Sequence, residues 1–310
     1  MGQGSDRLRA SARRWRGIVL LAISPVVLAA GVRWMVSAPI DAAGAPSSSW
    51  APAPELPVSE AGPAPDPLSP VGWPDGPLTG PEAKRRLHRA MLALVGRLER
   101  LDGYEAIIRR RERVGGSWLR EQRLQMKVRH RPASVYLKDI GVDEGCEIIY
   151  VEGLRGGKLL SHPGGGLLGL LVPPIELHPE SPLAMSQSRF PITEAGLLPV
   201  ARRLLDAADR DREDPGASVV LDRVEGEDGR TELRSVQRYD APADGRPFAR
   251  VEVRFDPETL LPRSYRYHDW PDSPGTPPPL GGCYIVESFD PDASPVDLDF
   301  DPTNPRYRFR

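Results

Sequence analysis

The chain has 310 residues, 40% of them hydrophobic and 27% charged, and a net charge of -2, a balance that excludes a global field drawing in nucleic acid or acidic partners. Its 2 cysteines exclude a disulfide-built scaffold and a cysteine-built structural zinc site. The length admits two domains, but the first 80 residues lack the composition of a core, which leaves about 230 residues for one sizeable fold.

Residues 1–38 read as an N-terminal export signal or membrane anchor. Arg7, Arg9, Arg13, Arg14 and Arg16 precede residues 18–32, which are apolar apart from Ser24, Pro25 and glycine. A basic stretch ahead of an apolar core is an export signal, and the positive-inside rule places the remainder outside the cytoplasm. Ala43-Gly44-Ala45 has the form of a cleavage site, but Pro46 directly behind it hinders cleavage. A retained inner-membrane anchor with the domain on the periplasmic side is therefore expected; the alternative is a cleaved segment and a soluble periplasmic protein. Residues 39–81 hold twelve prolines and no Lys or Arg. Such a composition buries no core and favours extended polyproline II, so 39–80 is expected to be a disordered linker reaching at most about 100 Å. Residues 81–310 form the single folded domain.

That domain opens at Thr79-Gly80-Pro81-Glu82, which has capping-box spacing with Pro in the first turn. The predicted helix runs to about Leu101, with Leu87, Met91, Leu94, Val95, Leu98 and Leu101 on one apolar stripe. Two strands follow, 104–114 and 117–129, around the turn pair Gly115-Gly116. In the second, Trp118, Leu124, Met126 and Val128 share one face; Glu121, Arg123, Gln125, Lys127 and Arg129 share the other. One buried and one wet face is the habit of antiparallel sheets. The wet face is basic, and salt bridges to Glu112 and Glu121 are its plainest reading, with an anionic headgroup or wall polymer as the alternative.

Further strands are predicted at 134–138, 147–152 and 158–162. A Gly-rich apolar run, 163–174, follows. It has glycines but no Gly-Lys-Ser/Thr, which rules out a phosphate loop, and it suits a flap over the open end of a sheet or a buried loop. Residues 193–209 read as a second amphipathic helix, with Thr193 as its cap and Pro199 in its first turn. Strands at 218–225, 230–239, 247–256, 263–269 and 283–289 and an acidic, Pro-rich tail complete the chain. Residues 256–259 (Asp-Pro-Glu-Thr) form a turn.

Catalytic and metal chemistry find little support. The 5 histidines (88, 130, 162, 178 and 268) show no ligand spacing. No Gly-x-Ser-x-Gly occurs. Cys146 and Cys283 are candidates for a disulfide in an oxidising compartment, with two buried thiols as the alternative.

Three blocks carry a resemblance. They are Glu112-Arg113-Val114-Gly115-Gly116 with Lys127-Val128-Arg129 and Pro132-Ala133-Ser134-Val135-Tyr136; residues 188–196 (Ser-Arg-Phe-Pro-Ile-Thr-Glu-Ala-Gly); and Asp299-Phe300-Asp301-Pro302 with Asn304-Pro305. Together they resemble the exported bacterial family called domain of unknown function 1571, over about 85–310. That name implies no activity and no site residue. A weaker likeness is to the lipoprotein carriers and receptors of the bacterial envelope, the Lol type, through one helix followed by a long antiparallel run and through residues 253–262, a strand, turn and Leu-Pro restart. This likeness implies an open half-barrel with helices over its concave face and acyl chains in the hollow. An anchored chain departs from carriers that shuttle and fits a fixed acceptor or sensor.

The expectation is thus an α+β domain: a strongly curved antiparallel sheet of about ten strands, an open half-barrel, with two principal helices on the concave face. The expected function is non-enzymatic binding of an apolar or lipidated ligand, a lipid or a lipidated protein, between sheet and helices. Leu124, Met126 and Val128 would line the hollow and Leu167, Leu168, Leu170 and Leu171 the flap. No cofactor, metal or nucleic acid is expected; the membrane is met through the N-terminal segment. The alternative is a periplasmic protein-interaction or scaffold module with a filled core.

Overall fold

The computed structural model describes residues 72–141, 145–164, 172–226 and 228–309. The predicted anchor, the linker up to residue 71, and Leu167, Leu168, Leu170 and Leu171 lie outside them. No helix among the described residues is long and apolar enough to cross a membrane.

The elements in chain order are α1 (Gly80–Leu98), β1 (Gly103–Val114), β2 (Ser117–Trp118), β3 (Gln122–Arg129), β4 (Ser134–Asp139), β5 (Glu147–Val151), β6 (Leu159–His162), β7 (Ile175–Leu177), α2 (Pro182–Met185), α3 (Leu197–Asp211), β8 (Ala217–Glu225), β9 (Thr231–Tyr239), β10 (Arg250–Phe255), β11 (Pro262–His268) and β12 (Leu280–Asp290). The strands make one antiparallel, unclosed sheet in the order β7-β6-β5-β4-β3-β1-β12-β11-β10-β9-β8, with β2 paired to β1. Strand β1 stands at the middle, holding β3 on one side and β12 on the other. The expected α+β half-barrel is found, with twelve strands in place of about ten.

Period-two alternation explains the faces. Opposed pairs Tyr104 and Val128, Ala106 and Met126, Ile108 and Leu124 point inward from β1 and β3, and Met126 and Val128 stand opposite Leu137 and Val135 of β4. Against this concave face lie α1, through Leu87, Met91, Leu94 and Leu98, and α3, through Leu197, Ala201, Leu204 and Ala208, in one continuous core. At β11 the Tyr267 ring lies flat over the neighbouring strand. A Cβ at Gly282 would come within 2.5 Å of its hydroxyl, so β12 needs glycine there.

Both predicted helix caps are corrected. Thr79 makes no side-chain cap bond, and Glu82, the other half of the box, is turned to Arg85 and Arg86 at 2.8 and 2.9 Å. Thr193 lies in a separate 3-10 turn, Ile192–Glu194, and α3 begins at Leu197 after Gly196 at φ 110°. Residues 72–79, assigned to the linker by composition, belong to the folded part. The Trp73 indole is buried, donates to the Asp222 carbonyl at 2.9 Å, and packs on Phe255 with centroids 5.7 Å apart. Leu78 exchanges two backbone hydrogen bonds with Leu221 of the edge strand β8, which shields that edge. The Asp256 turn forms as expected: its carboxylate accepts from the backbone N–H groups of Glu258 and Thr259.

The convex face is less wet than alternation implies. Arg109 and Arg123 pair with Glu287 at 3.4 and 2.6 Å, and Arg109 also reaches Glu121 at 3.9 Å. Over β4 and β5 the C-terminal tail makes a second small core, in which Tyr136 stacks on Tyr307 at 4.2 Å beside Ile149, Val151, Phe300 and Phe309. Lys127 is buried beneath it, 2.6 Å from Asp299 and 3.1 Å from Glu105. Glu147, fully buried, accepts the Arg308 backbone N–H at 2.9 Å. Nothing in the alternation of β3 marks this cover, because the residues that bury Lys127 come from the far end of the chain.

Burial raises the Asp299 carboxyl, but the Lys127 ammonium and the Val296 N–H outweigh it, so its pKa lies below the usual value. A folded pKa below the unfolded one contributes stability that is full above the unfolded value, about 3.9, and is lost as pH falls through the folded value. Lys127→Ala is expected to destabilise the domain by on the order of 3 kcal/mol at neutral pH. Urea unfolding followed by tryptophan fluorescence reads this. The gap between wild type and variant should narrow below about pH 4; a gap that stays constant into acid would show that Asp299 does not hold the tail.

Candidate functional site

Between the concave face of the sheet, from β6 across β1 to β11, and the segment 177–203 lies a partly open hollow of about 190 Å³. Its floor includes Ile108, Leu124, Met126, Leu137, Ile148 and Val286; its roof includes Leu177, Leu183, Phe190, Ile192, Leu197 and Val200. The floor is sheet alternation seen from inside. The roof follows from local signals: Ser181 accepts the Ala184 N–H at 3.4 Å, and with Pro182 at the first helical position it starts α2.

The start of α3 depends on one hydroxyl. Tyr104 is fully buried, and its oxygen accepts the Leu197 N–H at 2.7 Å. This satisfies an orphan donor of the first turn that the glycine N-cap cannot reach. Gly196 fits only as glycine: at φ 110° a Cβ would lie 2.9 Å from that hydroxyl. Val200 and Arg203, in the next turn, are thereby held over the hollow.

The block 188–196 is a belt across the mouth. Arg110 projects from β1 and donates to Gln122 at 2.9 Å, to the Ser188 hydroxyl at 3.1 Å and to the Gln187 carbonyl at 3.1 Å. Behind it the Glu112 side chain, 1% exposed, lies 3.5 Å from Arg110. Glu112 accepts from Ser188 at 3.2 Å and from the Tyr284 hydroxyl. Arg189 pairs with Asp269 at 2.7 Å and lies over the Phe248 and Tyr267 rings. Glu194 pairs with Arg203, whose guanidinium covers the Phe190 ring at 4.5 Å. Burial pushes the Tyr265 phenol up to about 12, against the pull of Arg203 and Arg189, and raises Tyr284 well above its usual value. Both phenols are neutral at physiological pH.

Of the residues expected to line a site, Leu124 and Met126 border the hollow. Val128, on the same face, is buried one pair further along, where it would meet a Cβ on Gly196 at 3.7 Å. Leu167, Leu168, Leu170 and Leu171 lie outside the described residues. Trp118 does not join the inner face. It is exposed at the end of β2, with Arg111 4.8 Å above its ring, because residues 119–121 break the alternation. Cys146 borders the hollow, whereas Cys283 stands opposite Arg111, one residue out of step with the inward Tyr284. Strands β4, β3 and β1 lie between β5 and β12. At about 4.8 Å per strand the two thiols are far beyond disulfide reach, and they are not joined. The belt residues Arg110, Ser188, Glu194 and Arg203 were not singled out as a site from sequence. The signal for them was the block 188–196 itself, which joins distant strands and so shows no local periodicity.

Chemically the site suits an amphipathic or wholly apolar guest. The Glu112 carboxylate, which accepts from Ser188, is enclosed and bonded to three partners. No group of three His, Cys, Asp or Glu among the described residues is placed to hold a metal ion.

A family model described as "Protein of unknown function (DUF1571)" matches residues 101–309. No curated protein matches the chain. Among solved structures, lipoprotein LppX of Mycobacterium tuberculosis is 13% identical, with 69% of this chain and 99% of that one covered and a TM-score of 0.38. A DUF1329 family protein from Desulfovibrio piger is 9% identical, covering 71% and 97%, with a TM-score of 0.37. A putative outer membrane lipoprotein-sorting protein domain from Vibrio parahaemolyticus is 7% identical, covering 70% and 97%, with a TM-score of 0.35. At such values no function passes from any of them to this chain.

Tyr104→Phe removes the acceptor and leaves the Leu197 N–H buried without a partner. The expected cost is about 1–3 kcal/mol. Amide exchange at residues 197–200 should speed up more than exchange in β8 and β9. Equal protection in variant and wild type would mean that another group starts α3.

Proposed function

Since the chain belongs to the DUF1571 family, whose name carries no activity, we propose from its geometry that it binds an apolar or lipidated ligand in the hollow, without chemistry, outside the cytoplasm. The observation that carries this reading is the hollow itself, about 190 Å³ with a mostly apolar lining, between sheet and helices. An apolar cavity of about 150 Å³ already takes up benzene, so this space admits a stretch of hydrocarbon, and its open side lets a chain extend outward. Well-packed interiors leave few voids larger than a water molecule, which makes a space of this size a feature to explain. The non-enzymatic part rests on Glu112 being sealed behind Arg110, Ser188 and Tyr284. The N-terminal basic and apolar segment supplies export and, if retained, a tether to the membrane.

Organic extraction of the full chain purified from exporting cells, followed by mass spectrometry, tests the reading. Bound lipid at near-stoichiometric amounts is expected. Met126→Trp puts a larger ring into the hollow and should abolish that lipid while costing about 1–3 kcal/mol or less in stability, since the extra volume enters empty space. A wild-type protein that carries no lipid and takes up no fluorescent fatty alcohol would end the proposal in favour of an interaction module.

A further inference from the structure

We propose that the hollow selects a single uncharged hydrocarbon chain and rejects anionic lipids, an inference that rests on the ligand-binding reading above. The ground is charge pairing. Among the described residues the lining contains two cations, Arg110 and Arg203. Arg110 faces Glu112 at 3.5 Å and also donates to Gln122, Ser188 and the Gln187 carbonyl. Arg203 is paired with Glu194 and laid on Phe190. Each guanidinium charge thus already has a carboxylate partner and is not a free counter-charge for a carboxylate or phosphate. The remaining polar lining, such as Ser161, Ser264 and Tyr265, is neutral and suits an ester or hydroxyl end. An anionic headgroup drawn into this mouth would lose its water without gaining a counter-charge, which is the costly case for burying an ion. The size of the hollow, about 190 Å³, admits one chain rather than several.

The shared chemistry, an uncharged acyl chain, has two sources: a free neutral lipid or the acyl chains of a lipidated protein. Isothermal titration of the full chain at pH 8 compares three probes of equal chain length: a monoacylglycerol, the corresponding carboxylate, and an uncharged monoacylated lipopeptide. The monoacylglycerol is expected to bind about tenfold or more tighter than the carboxylate. Tighter binding of the lipopeptide than of the monoacylglycerol supports the same selectivity with a lipidated protein as its source, and the reverse order supports a free lipid. Glu194→Gln frees Arg203 from its partner and should raise carboxylate affinity several-fold relative to monoacylglycerol affinity measured on the same variant. Carboxylate binding equal to or tighter than monoacylglycerol binding in the wild type overturns the selectivity alone. Binding of none of the three overturns the ligand-binding reading and this inference together. The wild-type comparison stands whether or not the variant folds.

Discussion

The hydrogen bond from the Leu197 N–H to the Tyr104 hydroxyl ties the two halves of this structure together. Tyr104 sits near the start of the central strand, and Leu197 is the first residue of the helix that crosses the concave face. A helix laid over a curved sheet has many nearly equivalent positions, since apolar contact is non-directional. A buried donor with one available acceptor selects among them. Gly196, at φ 110°, lets the chain turn into the helix directly against that oxygen. With α3 placed there, Val200 and Arg203 stand over the floor made by Leu124 and Met126, and the space between them stays open.

Around that space the structure spends its charges on itself. Arg203 with Glu194 and Arg189 with Asp269 join the belt 188–196 to α3 and to the end of β11, while Arg110 and Glu112, both on β1, hold its Ser188. Pairs of this kind fix geometry at modest net stability, because desolvation offsets much of the attraction. The result is a mouth rigid in outline and close to neutral in charge. On the opposite face the tail plays a comparable part: Asp299 on Lys127, and Tyr307 on Tyr136, fasten it across strands β3 to β5. Strands that alternation alone would leave wet on the outside therefore have a core on each side.

Much of the fold was legible because its signals are local. The stripe from Leu87 to Leu98 has helical period, and the strands of residues 217–268 alternate cleanly between Gly- and Pro-rich turns. The caps were misread for an equally physical reason. Thr79-Gly80-Pro81-Glu82 has the right letters, but Arg85 and Arg86 compete for Glu82 and win. Thr193 looked like a cap because its competitor, a tyrosine hydroxyl, lies 89 positions away in the chain (193 minus 104). The site was legible in part. Leu124 and Met126 follow from period two, whereas Val128, next on the same face, is taken up by Gly196.

What the amino-acid order determined by itself is the kind of fold: antiparallel strands with one greasy side and two amphipathic helices to meet it. These follow from periodicity, turn chemistry and composition, which act over a few residues at a time. Tertiary structure alone decided where the helices stop and start, that Lys127 is buried, that Cys146 and Cys283 stand apart, and that a hollow remains beneath α3. Each of these is set by groups that meet only after long loops close, so no window of sequence contains both partners.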